Sequence, residues 1–353
     1  MNILIVKLSA VGDVVHTLPS LAALRKLYPD AHITWVIEEA AADLVTGHPS
    51  LDRVLVSRRK SWAKSLGSPR RALRAVDEVR SFLRTLRDRP YDLVIDFHGL
   101  FKSAVIVFLS RGKRKLGYDS LQELSGLFLN EKIPEDMDKH AVDRYLDFLR
   151  HLGAPEEEPA FLIPVGEENR RRVKGFLEEY GLDRGAGFVA VSPVALWETK
   201  LWEENRFAAL CDRVVGELGL KVVLTGDKAG GVLGRIEARM TESAVNLGGK
   251  TTLRDLAALY KRARVLVTTD SGPMHIAAAV GTPVIALFGP TAPWRTGPYG
   301  PGHIVIRKAI ACSPCFLKHC ATGQCMKDIT VEEVFEAVKK TSRTDKTDEK
   351  DLT

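Results

Sequence analysis

The chain alternates short, almost uninterrupted apolar runs with longer segments whose apolar positions recur every three or four residues. NILIVKL (2–8), AHITWVIE (31–38), DRVLVS (52–57) and YDLVIDFHG (91–99) read as strands. Runs of that length, apolar on both faces, suit parallel strands covered by helices on both sides. VVHTLPSLAALRKLY follows the first run with helical spacing, and basic amphipathic segments near 70–88 and 101–111 flank the fourth. GAPEEEPAFLIPVG (153–166), rich in Pro, Gly and Glu, interrupts the alternation. It restarts with GFVAVSP (187–193), LKVVLTG (220–226), ARVLVTTDSG (263–272) and TPVIALFGP (282–290), with helical ENRFAALCDRVVGEL and LRDLAALYKRA between them. TVEEVFEAVKK (330–340) is the last predicted helix, opened by a capping box of Thr330 and Glu333. The pattern predicts an α/β protein of two doubly wound, Rossmann-like domains facing across a cleft. They span 1–160 and 161–340, with the last helix free to pack back on the first domain and a polar, disordered tail over 341–353.

Ligands of open α/β sheets sit beyond the carboxyl ends of the strands, so the loops there carry the candidate chemistry. After the first strand, Ser9-Ala10-Val11-Gly12-Asp13 lacks the GxGxxG of a dinucleotide cradle. It offers a carboxylate at a helix start, suited either to cap the helix or to act as a general base. Thr268-Thr269-Asp270-Ser271-Gly272-Pro273-Met274-His275 ends a strand and opens a helix. The free N–H groups and dipole of such a helix start favour a phosphate, with Asp270 and His275 beside it. Trp197-Glu198-Thr199-Lys200 places a lysine after another strand of the same domain, a point charge for a diphosphate.

Composition narrows the class. With 353 residues, 45% hydrophobic and 27% charged, the chain is long enough for two cores. Coiled coil, collagen, disulfide scaffold and wholly disordered chain are excluded. No run approaches a membrane span, and the opening apolar run, broken by Asp13, lacks the form of a secretory signal. A cytoplasmic location is expected. The net charge of +6 is uneven: residues 53–90 hold twelve Lys/Arg against three acids, a local +9 that leaves −3 for everything else. Such a segment suits an anionic partner. With only Trp62 and Phe82 as aromatics it does not suit nucleic acid. Cys312, Cys315, Cys320 and Cys325 are spaced for a possible structural metal such as zinc, or are reduced loop thiols.

Four stretches, ILIVKLSAVGDVVHTLPSL, DFHGLFKSA (96–104), WETKLWEENRF (197–207) and VTTDSGPMHIAAAVGTPVIALFGPT (267–291), resemble the ADP-heptose:lipopolysaccharide heptosyltransferases of glycosyltransferase family 9. WVIEEA and RRKSWAK resemble type I members, and CSPCFLKHC…CM resembles type II. The resemblance implies a GT-B fold and inverting transfer of heptose from ADP-L-glycero-D-manno-heptose to the Kdo/heptose inner core of lipid A. No cofactor is required, and the work is done on the cytoplasmic face of the inner membrane. It implies Asp13 as general base, and Lys200, Thr251, Asp270, Ser271, Gly272 and His275 as donor-binding residues. Arg58, Arg59, Lys60, Lys64 and Arg144 would meet the anionic acceptor. The chain departs from the family pattern at Ala195-Leu196, where type I members carry a threonine pair, and in offering Asp227 for an acidic residue shifted in register. A different sugar-nucleotide enzyme of the same fold is the alternative.

Overall fold

The computed structural model describes residues 1–65, 67–119, 126–184, 187–226 and 231–343; Asp227 and the tail from 344 onward lie outside them. The chain divides into two compact units, Met1–Pro164 and Val165 onward.

In the first unit the strands are β1 (Asn2–Val6), β2 (His32–Glu38), β3 (Arg53–Ser57), β4 (Leu93–Asp96), β5 (Arg114–Tyr118) and β6 (Glu131–Ile133). They form one six-stranded sheet in the order β3-β2-β1-β4-β5-β6, and every pairing is parallel. In the second unit β7 (Phe188–Ser192), β8 (Lys221–Leu224), β9 (Val245–Asn246), β10 (Val265–Thr269), β11 (Val284–Phe288) and β12 (Ile304–Arg307) follow the same plan, in the order β12-β11-β10-β7-β8-β9. Counted from each unit's own first strand, both orders are that of a doubly wound nucleotide-binding sheet. The fold is α/β, two Rossmann-like units of the GT-B class.

The central strands are buried on both faces because helices cover both. Leu4, Val6 and Leu8 belong to a core cluster with Val94, Ile106 and Val107, while Ile3 and Ile5 alternate to the other side and are equally buried. The strands absent from the sequence reading are β5, β6, β9 and β12. Two of them are only two or three residues long, and RKLGY and EKI carry charges that blunt a strand near the sheet margin. The last helix, Val331–Arg343, begins with the reciprocal Thr330–Glu333 hydrogen bonds. Its Val334, Phe335 and Val338 are buried in the second unit's own core, beside the helix Glu204–Leu218 and β10–β12.

Two parallel sheets that reverse winding each have one switch point, β1/β4 in the first unit and β7/β10 in the second. Loops diverge there, which opens a crevice at the carboxyl edge.

Candidate functional site

At the first switch point a lysine leaves the end of β1 and is almost wholly buried. Lys7 Nζ donates to the carbonyl of Phe97 at 2.9 Å and to the Tyr145 hydroxyl at 2.6 Å. Tyr145 arrives from the helix Ala141–His151, which packs on the helix Val11–Leu27. Its hydroxyl donates onward to Asp13 Oδ1 at 3.3 Å, and that oxygen lies 4.0 Å from Lys7 Nζ. Asp13 Oδ2 accepts the Ala10 N–H at 3.0 Å, so the carboxylate does cap its helix. Its side chain is nevertheless 40% exposed, against 4% for Lys7. One carboxylate oxygen holds the loop, and the other ends a lysine–tyrosine–aspartate chain that opens to solvent.

Burial pulls the Lys7 ammonium below its usual pKa, while Asp13 and Asp96 oppose that pull. Burial, helped by the charge of Asp13, pushes the Tyr145 phenol well above its usual value, so Tyr145 stays a neutral donor. Asp96, at the end of β4, accepts the N–H groups of His98 and Gly99 at 2.9 and 3.2 Å and the Ser103 hydroxyl at 2.8 Å. These bonds fix the loop against its own helix, although desolvation raises the carboxyl's pKa. Both ring nitrogens of His98 are buried and have no hydrogen-bond partner among the described residues. Burial, with the charges of Lys7 and Lys102, holds that ring down to about 3, so it is neutral.

The acceptor candidates are only partly gathered. Buried Glu38 at the end of β2 lies 3.2 Å from Arg59, 3.7 Å from Lys60 and 3.7 Å from Lys102, and Arg58 lies 3.4 Å from Glu39. Lys64 is exposed on the same short helix, Arg59–Ser65. Arg144 is buried and turned to Glu135 at 2.6 Å.

The second switch point uses the same two residue types with their roles exchanged. Asp270 directly follows β10 and is 6% exposed, whereas Lys200, in the turn Glu198–Lys200, is 15% exposed. Lys200 Nζ lies 2.6 Å from Asp270 Oδ2, which also accepts the Thr291 hydroxyl at 2.7 Å. The ammonium sits 4.6 Å from the centre of the Trp197 ring, which screens one side of it. Ser271 is the cap residue of the helix Gly272–Ala279, with Pro273 in its first turn and His275 buried behind. Pro at that position lacks only an N–H that the helix could not have used, and the remaining N–H groups have the geometry that suits an anion. Thr251 stands at the head of a different helix, Leu253–Arg262, beside Thr252, whose hydroxyl accepts the Asp255 N–H at 3.2 Å.

Cys312, Cys315 and Cys320 lie near enough to act electrostatically on the Cys325 thiol, which burial chiefly pushes up. Cys312 and Cys320 are exposed, Cys315 is partly buried, and Cys325 faces the core beside Met326 in the short helix Gln324–Lys327. Among the described residues no three or more His, Cys, Asp and Glu side chains are grouped to hold a metal ion, so the expected structural zinc site finds no support.

Sequence reasoning missed Lys7, Tyr145 and Thr291. Lys7 had a signal, a cation inside an otherwise apolar buried strand. Tyr145 had none locally, since it is delivered by packing of a distant helix.

Two Rossmann-like units, one presenting a carboxylate and the other an ammonium beside a helix start, suit a group-transfer enzyme of the GT-B class. The chain belongs to glycosyltransferase family 9 (heptosyltransferase), whose model matches residues 79–326. It is 34% identical over 336 residues to lipopolysaccharide heptosyltransferase 1 of Pseudomonas aeruginosa, covering 91% of this chain and 87% of that one. The E. coli heptosyltransferase WaaC with ADP matches with a TM-score of 0.77 and 27% identity, covering 97% of this chain and 100% of that one. The same E. coli enzyme with ADP-2-deoxy-2-fluoro heptose gives 0.75 and 27%, covering 96% and 99%. No described helix is long and apolar enough to cross a membrane.

Proposed function

We propose that this glycosyltransferase moves L-glycero-D-manno-heptose from its ADP derivative to the Kdo/heptose inner core of lipopolysaccharide, with inversion at the anomeric carbon. The observation that carries the reading is the Lys200–Asp270–Thr291 cluster at the head of the Gly272–Ala279 helix, in a chain whose relative was solved with ADP.

The second unit is assigned the donor. Lys200 and the N–H groups at Ser271 and Gly272 face the diphosphate, Asp270 holds Lys200 in place, His275 backs the turn, and Thr251 lines the adenosine side. The first unit is assigned the acceptor. As an acceptor hydroxyl attacks the anomeric carbon, the bond from that carbon to the ADP oxygen breaks. The hydroxyl proton passes to Asp13, and ADP leaves with one more negative charge. Lys200 and the helix start stabilise that growing charge, which needs no metal. Arg58, Arg59, Lys60 and Lys64 meet the anionic acceptor, while Arg144, turned to Glu135, shapes the wall behind. Because the acceptor is a membrane lipid, the enzyme is placed peripherally at the cytoplasmic face of the inner membrane.

The test is incubation with ADP-heptose and Kdo-containing lipid A, followed by mass analysis. One added heptose is expected. No product with this acceptor, together with transfer from another sugar nucleotide, overturns the donor assignment. Running heptosylated lipid A in parallel separates a first from a second heptose transfer.

A further inference from the structure

The helix Phe101–Leu109 connects β4 to β5 and buries Ser103, Ala104, Ile106 and Val107 against the sheet. Its opposite face is not polar. Phe101, Val105 and Phe108 recur at helical spacing and are exposed, and Leu127, in the segment that follows β5, is exposed too. Phe108 is 55% and Leu127 64% exposed, and the Phe108 ring packs at a tilt against Phe128 with centroids 5.0 Å apart. From 97 to 118 the chain contains five Lys/Arg and no acid.

Beside this helix lies the basic one, Pro69–Leu86. Phe82 and Leu83 pack into the same core cluster as Ile106 and Val107, and Arg87 Nε donates to the Leu109 carbonyl at 2.9 Å. Arg70, Arg74, Arg80 and Arg84 are exposed along it, together with Leu73. A cationic helix face thus lies next to an apolar one on the same side of the unit. Side chains of this size, grouped and rimmed by cations, mark an interaction surface rather than scattered surface apolars. A basic amphipathic surface with aromatic and leucine anchors is what an anionic leaflet recognises: cations meet headgroups while the apolar stripe enters the acyl boundary.

We infer that the paired outer faces of Phe101–Leu109 and Pro69–Leu86 form the membrane-docking surface of the enzyme, with Val105, Phe108 and Leu127 as inserted anchors. The inference rests on the proposed function, since a lipid-linked acceptor is what makes docking useful. It goes further in naming an apolar insertion that charge alone does not supply. Phe101 begins the stripe next to the loop after β4, so the docked face runs up to the carboxyl edge where Asp13 lies.

The experiment uses the full chain and its Phe108→Ser/Leu127→Ser variant in flotation with phosphatidylethanolamine vesicles, with and without phosphatidylglycerol. Both side chains are exposed, and circular dichroism checks the fold. Wild type is expected to float with the anionic vesicles and to retain part of that binding in high salt. Each anchor lost lowers the partition coefficient about tenfold, so the double variant binds about a hundredfold more weakly. Transfer to a soluble, deacylated Kdo acceptor stays at the wild-type rate. Wild-type flotation by the double variant overturns the proposal. So does loss of soluble-acceptor transfer in the variant, which moves these residues into the acceptor site, or a wild-type dimer that the variant splits with unchanged flotation, which makes the face a contact between copies. Failure of the proposed function appears separately, as absence of wild-type transfer to the soluble acceptor.

Discussion

Both switch points hold a lysine and an aspartate in contact, yet they present opposite groups. In the first unit the lysine is buried and the carboxylate reaches solvent; in the second the carboxylate is buried and the lysine is the more exposed partner. The cause is where each residue leaves the sheet. Lys7 continues β1 and is trapped under Tyr145, while Asp13 stands a turn away on a helix. Asp270 continues β10, and Lys200 comes from a turn after β7. One fold, used twice with its ion pair reversed, thus presents a carboxylate in one unit and an ammonium in the other. A transfer that deprotonates a hydroxyl and releases a diphosphate needs that division.

The largest test removes the presented carboxylate. Asp13→Asn keeps the shape and an acceptor oxygen for Ala10 but cannot take a proton. Transfer should fall by about 10² to 10⁴, with ADP affinity by calorimetry unchanged. Near wild-type turnover would reduce Asp13 to the cap that its Ala10 bond already shows it to be.

Reversing the question at the second site, Lys200→Ala should weaken ADP binding about tenfold to a hundredfold and lower kcat as well, because the phosphate charge grows toward the transition state. Asp270→Asn should cost less in affinity, since the ammonium remains while its anchor is weakened. Unchanged ADP affinity in both variants would break the comparison, leaving the second pair as structure only.

The comparison was only half legible in the sequence. The strand-loop-helix rhythm exposed both sheets because buried parallel strands leave long apolar runs, and the loops at their ends drew attention to Asp13, Lys200 and Asp270. The short strands at the sheet margins were not readable, being too brief and too charged. Nor was the pairing within the first site. HAVDR drew attention to Arg144, but neighbouring helix positions face about 100° apart. The packing that brings Tyr145 to Asp13 turns Arg144 toward Glu135. Likewise, nothing local in the sequence shows that Glu38 is buried beneath Arg59 and Lys60 and pairs with both.

Tyr145→Phe sharpens the asymmetry at smaller scale. The phenyl ring keeps its packing against Phe97 but breaks the hydroxyl path from Lys7 to Asp13. A drop in kcat of about tenfold with unchanged acceptor KM, and a displaced acidic limb in the pH–rate profile, marks a positioning role. A thermal shift with unaltered kinetics would instead make it core packing.

The smallest effect concerns stability, at the buried histidine of the first unit's crevice. His98 stands in the crevice of the first unit with its ring buried, beside the charges of Lys7 and Lys102, and its folded pKa of about 3 lies below that of an unfolded histidine, about 6.5. As pH falls, the unfolded chain therefore takes the proton first. The stability that His98 contributes is fully present above about pH 6.5 and is lost progressively as the pH drops toward 3. His98→Gln removes the titrating ring, so wild type should lose about 5 to 10 °C more than the variant between pH 7 and pH 4 in paired melting curves. Parallel acid profiles would mean that the ring accepts a proton without cost. The crevice of the first unit would then tolerate a further cation beside Lys7 and Lys102.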